Sequence, residues 1–119
     1  MSGSSASSLK IERITKRPDF LRANAGKKSA GATTIIRAIA SAETKPKTCR
    51  VGFTVSGACG NAVIRNRIKR RLRAAVAKLW PSEAQAGFDY VLIGKAGSDK
   101  AEYSAIVAEL SHALRKLHA

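Results

Sequence analysis

Residues 60–80 read GNAVIRNRIKRRLRAAVAKLW, and six positions between 65 and 73 are basic: Arg65, Arg67, Lys69, Arg70, Arg71 and Arg73. Ile64, Ile68, Leu72, Ala75 and Leu79 recur every three or four residues, the spacing of one narrow apolar stripe on a helix. Gly60-Asn61 offers a turn and an N-cap, no Gly or Pro interrupts the run, and Pro81 is expected to stop it. At about 100° per residue the cations spread around that stripe. Arg65, Lys69 and Arg73 take one flank, Arg67, Arg71 and Lys78 the other, and Arg70 points away beside Asn66.

A solvated helix normally mixes signs, with Glu four residues before Lys or Arg. Here no acid occurs between Glu43 and Glu83, while ten basic residues do. Cations in the first turns also oppose the helix dipole, by about 0.3–1 kcal/mol each when exposed. A helix with one sign of charge on three faces is suited to a polyanion.

Working outward, 119 residues suit a single domain, and 45% hydrophobic content is enough for one core. The net charge of +14 points to nucleic acid or an anionic membrane. The membrane is disfavoured, because no apolar run approaches the roughly 20 residues of a span and the helix lacks a wide Trp/Phe/Leu face. MSGSSASS has no apolar core of a secretory signal, so residues 1–8 are expected to be a disordered Ser-rich tail preceding a domain at 9–119. Cys49 and Cys59 have no further partners for a zinc site and are expected to be reduced, buried or half-buried fillers.

In LKIERITKRPDFLRAN, from Leu9 to about Asn24, Pro18 fits the first helical position, Asp19 suits the helix dipole, Phe20 and Leu21 anchor the helix, and Gly26 ends it. KKSAG is an edge strand or only a loop. Thr33–Ala40 is β-branched and reads as a strand, and Thr44-Lys45-Pro46-Lys47 as a polar connection. In RVGFTVS, Val51, Phe53 and Val55 alternate as a core face against Arg50, Gly52, Thr54 and Ser56. The second face serves equally as plain solvent exposure or as the floor of a groove for an extended RNA strand. DYVLIG is a buried strand, and Asp99 with Glu102 has capping-box spacing before a helix to about Leu117. Tyr103, Ile106, Val107, Leu110, Leu114 and Leu117 form that helix's expected core stripe. The outcome is a small α/β sandwich with one sheet and helices packed on it.

No constellation in the chain carries catalysis. The eight acids are scattered, His112 and His118 are off the spacing that shares a helix face and read as surface histidines, and Cys59 has no nearby His. Gly57-Ala58-Cys59-Gly60 lacks the Gly-Lys-Ser/Thr ending of a phosphate loop.

GNAVIRNRIKRRLR resembles the Arg-Asn-Arg signature of the bacterial ribonuclease P protein component, and RVGFTVS, DYVLIGKAG and KRPDFL extend the resemblance over roughly residues 10–117. It implies an αβββαβα order of the ribosomal protein S5 domain 2-like kind, with a left-handed βαβ crossover that the general handedness rule would not give. It also implies that a catalytic RNA and its Mg2+ ions remove the 5′ leader of precursor tRNA. The protein would serve in the cytoplasm without a small-molecule cofactor, holding the leader and assisting the RNA. By position, Arg65, Asn66, Arg67, Lys69, Arg70, Arg71 and Arg73 would meet the catalytic RNA. Arg17, Phe20, Arg50, Gly52 and Thr54 would meet the leader, with Phe20 either a stacking platform or a structural anchor. Ser56-Gly57-Ala58-Cys59 replaces the family's usual Ser-Lys-Lys, and no second aromatic stands near Asn24. Both departures fall on the leader side. A ribosomal or general RNA-binding protein is the alternative, and a stand-alone nuclease a third reading.

Overall fold

The computed structural model describes residues 9–42 and 47–118. In chain order the elements are strand β1 (Lys10–Arg13), helix α1 (Arg17–Ala23), strands β2 (Lys27–Ala30), β3 (Thr34–Ala40) and β4 (Thr48–Val55), a 3-10 turn (Gly57–Cys59), helix α2 (Ala62–Glu83), strand β5 (Phe88–Gly94) and helix α3 (Tyr103–Leu117). The expected order holds from α1 onward, but a strand precedes it. KIER has no apolar alternation to announce β1; it becomes a strand by pairing in parallel with β4, Lys10 to Arg13 against Thr48 to Val51. The tail at 1–8, Glu43 and residues 44–46 of the polar connection lie outside the described residues.

The five strands form one mixed sheet in the order β1-β4-β5-β3-β2. Helix α2 is the crossover between the adjacent parallel strands β4 and β5. Its N-cap is Asn61, whose Oδ1 accepts from the Ile64 N–H at 3.0 Å. Pro81 does not stop the helix. It occupies the last turn, where the N–H it lacks removes only one late bond, and the Ala84 N–H still reaches the Trp80 carbonyl.

The two faces of the sheet are covered unequally. Ile36, Val51, Tyr90 and Leu92 point to one face and pack against Ile68, Leu72, Leu79 and Trp80 of α2 and Ile106, Leu110 and Leu114 of α3. The apolar stripe read from the sequence is this contact, and Trp80 adds the largest fully buried side chain to it. Its ring meets Tyr90 edge-on at 5.5 Å. On the other face α1 alone covers the smaller cluster of Ile14, Ala23 and Val91, flanked by Phe20, Ile39 and Ile93. Much of that face is therefore open beside a short helix.

Helix α3 differs from expectation at its start. Ser98 and Lys100 close tight turns onto Lys95 and Gly97, and the Ser98 hydroxyl donates to the Thr33 carbonyl at 2.6 Å. Those turns take up Asp99, so the N-cap is Glu102, without a side-chain capping bond. Tyr103 then falls outside the core and is 37% exposed. At the middle of the same helix, Glu109 accepts from the backbone N–H groups of Thr33 and Thr34 at 3.2 and 3.0 Å, tying α3 to the β2–β3 turn.

The packing predicts that Trp80→Ala loses about 3–5 kcal/mol of folding stability, read as a lower urea midpoint by far-UV circular dichroism. A loss below about 1 kcal/mol would show that this end of the core is not close-packed.

Candidate nucleic-acid interface

The outer surface of α2 keeps its cations free. Asn66, Arg67, Arg70, Arg73 and Lys78 are exposed, and Arg65, Lys69 and Arg71 are half-buried along the flanks. Among the described residues none of these cations pairs with a carboxylate. Arg71 is held differently: its guanidinium donates to the backbone carbonyls of Asp99, at 2.6 Å, and Ala101. The buried Nε of Arg65 has no hydrogen-bond partner. No acid stands in the first turn of the helix. Repulsion among these charges is relieved only by water and salt, which a phosphate backbone can replace.

On the α1 face, Arg17, Phe20 and Thr54 come together around a cleft of ≈ 390 Å³ completed by Thr15, Leu21, Asn24, Phe53, Val91 and Ile93. Thr15 carries no local signal, because nothing marks a residue that lines a cleft between a helix and a distant strand, and Leu21, expected to anchor α1, is instead exposed beside the cleft. Gly52 is buried under the Phe20 ring. A Cβ there would stand 2.7 Å from Phe20 Cε1 and 3.1 Å from Ile14 Cβ. The missing side chain of Gly52 is what lets Phe20 lie down on the sheet.

Arg50 departs from the expected groove floor. Its Nη2 and Nε donate to the two carboxylate oxygens of Asp89 at 2.7 and 2.9 Å, and its Nη1 approaches Asp19 Oδ2 at 3.4 Å. Asp89 is fully buried and also accepts from the Ser41 hydroxyl at 2.7 Å and from Arg22 at 3.3 Å. Through Asp19 and Arg22, both on α1, this network fastens the helix to the sheet. Burial pushes the Asp89 carboxyl up, but the hydrogen bonds from Arg50 and Ser41 and the charges of Arg50 and Arg22 outweigh it and hold the group below its ordinary value. Asp89 is the second residue of an otherwise apolar strand and stands opposite Arg50 in the β4–β5 register. That register is the signal that would have found it.

The remaining chemistry-bearing side chains are structural. Cys49 is buried and Cys59 half-buried, both free, as expected; burial raises the Cys49 thiol to about 11, far from a reactive thiolate. His112 is exposed, but His118 is not the surface histidine expected. Its Nε2 lies 2.7 Å from the Tyr90 hydroxyl, and its ring meets Phe88 edge-on at 4.8 Å. The Gln85 N–H also donates to that hydroxyl, at 2.9 Å, so the phenol oxygen ties His118 to the end of α2. Burial, then the charge of Lys27, lowers the His118 pKa. Among the described residues no helix is long and apolar enough to cross a membrane.

A family model described as Ribonuclease P matches residues 9–118. The ribonuclease P protein component of Paramagnetospirillum magneticum is 42% identical over 113 residues, spanning 92% of this chain and 85% of that protein. The one from Ruegeria pomeroyi is 41% identical over 92% of this chain and 88% of its own length. In structure, the chain superposes on the Staphylococcus aureus RNase P protein with a TM-score of 0.73 at 28% identity, over 90% of this chain and 95% of that one. The Thermotoga maritima RNase P protein shares the fold, with a TM-score of 0.74 at 23% identity over 88% and 96% of the two chains.

The Asp89 network sets an acid limit for the α1 face. Its folded-state pKa is depressed, so its stabilisation is complete above the unfolded carboxylate range, about pH 4, and is lost as pH falls through the lower folded value. Asp89→Asn leaves Arg50 without its principal counter-charge and is expected to lose about 3 kcal/mol, the low end for a broken buried pair because Arg50 keeps some solvent contact. Urea titrations at pH 7 and pH 3 test this: the gap between wild type and Asp89→Asn should narrow at the lower pH, and a constant gap would contradict the assigned network.

Proposed function

This chain belongs to the ribonuclease P protein family, the protein component of the endoribonuclease that matures tRNA 5′ ends, and from that premise we propose how its two faces divide the RNA between them. Helix α2 meets the catalytic RNA. The observation that carries this is the set of α2 cations left without a carboxylate partner among the described residues. Arg65, Arg67, Lys69, Arg70 and Arg73, with Asn66 between them, offer phosphate contacts on three sides of one rigid rod. Arginine suits the task because its planar fork meets two phosphate oxygens at once. Arg71, pinned by Asp99 and Ala101, contributes from a fixed position.

The α1 face takes the 5′ leader of precursor tRNA. Arg17, Phe20 and Thr54 line its cleft. Phe20 offers a ring on which a base of any identity can stack, which suits leaders of differing sequence. Gly52 acts from below, by giving the ring its seat. Arg50 is a positioning residue, holding α1 at the cleft's edge through Asp19 rather than touching the leader.

The hydrolysis is the RNA's own, with Mg2+ supplying the activated water and charge stabilisation when bound there. Two observations on this chain agree. Among the described residues no group of three or more His, Cys, Asp or Glu stands together as a metal site, and Asp89 and Asp19 already face Arg50. What the protein contributes is charge and grip, which lets the RNA work at lower Mg2+ in the cytoplasm.

Added to a bacterial ribonuclease P RNA at low Mg2+, the protein is expected to raise precursor tRNA cleavage, while the protein alone cuts nothing. No stimulation would remove this assignment. The triple substitution Arg65→Ala, Arg67→Ala, Lys69→Ala should weaken binding to that RNA and flatten the dependence of log K on log salt by about one per lost phosphate contact. An unchanged slope would move the RNA off α2. Phe20→Ala should reduce affinity for leader-bearing substrate about tenfold, corresponding to one lost stacked base, and leave mature tRNA little affected; equal losses would make Phe20 a structural anchor only.

A further inference from the structure

Beside the phosphate-facing rod lies a small recess that its charges alone do not explain. Arg67, Arg70, Arg71 and Ala74 of α2, with Tyr103 at the start of α3, line a depression of ≈ 200 Å³. Tyr103 belongs to the apolar periodicity of α3 yet is 37% exposed, one of few large apolar side chains so placed among the described residues. The recess is also rigidly built. Arg71 donates to the carbonyls of Asp99 and Ala101, which stand four and two residues before Tyr103, so the same contact fixes the guanidinium and the approach to the aromatic ring. Ala74, one turn along α2, is small and keeps the recess open. Arg67 and Arg70 stand exposed at the rim, without a carboxylate partner among the described residues.

We propose that this recess is a nucleotide-docking site: Tyr103 stacks on one unpaired base of the catalytic RNA while Arg67 and Arg70 hold the flanking phosphates. The inference rests on the reading of α2 as the surface for that RNA, and it extends the surface to α3. An exposed ring next to fixed and free cations has the chemistry that recognises an unstacked nucleotide, a π-face for the base and guanidinium groups for the backbone. A regular duplex keeps its bases stacked on one another and would offer the ring nothing but sugar and phosphate. The site therefore selects a bulged or looped nucleotide rather than a helical segment, and it selects without regard to base identity. Because only α2 carries the dense charge, Tyr103 would fix where along the RNA the rod sits, while the arginines supply most of the attraction.

Stacking and phosphate contacts separate by salt. A phosphate contact releases counterions and a stacked base does not. Tyr103→Leu, which keeps apolar bulk against Ala74 but removes the π-face, is expected to weaken binding to a bacterial ribonuclease P RNA about tenfold with the slope of log K against log salt unchanged. Tyr103→Phe should bind within about twofold of wild type, since stacking needs the ring and not the hydroxyl. Arg67→Ala should both weaken binding and lower the slope by about one. In Tyr103→Trp, the introduced indole should lose fluorescence when the RNA binds, against the constant signal of the buried Trp80. Thermal unfolding of all these variants is expected to match wild type, as positions 67 and 103 are both exposed.

Wild-type affinity in Tyr103→Leu, or an unquenched indole in Tyr103→Trp, overturns the docking site. If that happens while the Arg65/Arg67/Lys69 triple substitution still weakens binding and flattens the slope, only the stacking inference has failed. If the triple substitution also leaves affinity and slope unchanged, α2 itself has been misassigned and the recess falls with it.

Discussion

Like charges along α2 repel one another, and the rest of the molecule is arranged so that this helix exists before its partner arrives. At ordinary salt the screening length is about 8–10 Å, longer than the spacing of side chains three or four positions apart. The repulsion is therefore felt along the whole basic stretch. The Ala, Arg, Lys and Leu residues of α2 favour the helix locally, but the first turn has no acid to help. What holds the rod is its single apolar stripe, from Ile68 to Trp80, pressed on the sheet and on α3. The charged half of the helix is stable only because the other half is buried.

The same division of labour sorts the arginines of the whole chain. Arg50 and Arg22 face the buried Asp89, and Arg71 is fastened to two carbonyls. Each of these fixes a position: Arg50 and Arg22 the seat of α1, and Arg71 the approach to α3. The exposed arginines of α2 have no such partner among the described residues, and their hydrogen-bonding capacity is left for something outside the chain. A count of basic residues cannot separate the two groups. Geometry can, because a guanidinium that already meets a carboxylate at 2.7 Å would have to give up that bond to take a phosphate.

This is also where reading the sequence reached its limit. The α2 stripe, the Asn61 cap, the alternation in β4 and the strand at 89–94 were legible, because each is a local periodicity or a local hydrogen bond. The parts that were not legible depend on what lies across the sheet. β1 is a strand only because β4 pairs with it. Arg50 looked like a groove-floor cation until the β4–β5 register set it opposite Asp89. Tyr103 matches the helical period of α3, but it is the first residue of the helix and its ring stays partly exposed at that end. Pro81 is a local stop signal, yet the helix runs past it to Glu83. For Arg17, Phe20 and Thr54 the resemblance supplied the grouping, since no local pattern joins a short helix to a strand some thirty residues on.

The acids make the converse point. There are 8 against 22 lysines and arginines, and those with a visible role serve architecture. Asp89 and Asp19 hold α1 down, Glu109 caps the β2–β3 turn, and Glu83 accepts from Ser111 to join the end of α2 to the middle of α3. A carboxylate on the outer face of α2 would gain a local ion pair, worth at most about 1 kcal/mol at the surface. It would then cost more than that on binding, by repelling phosphate and occupying an arginine. A chain whose partner is a polyanion therefore benefits from keeping its acids inside or on the far side. Its binding face stays uniformly positive at a small loss of stability, and the apolar contact beneath α2 has to be extensive enough to make up that loss.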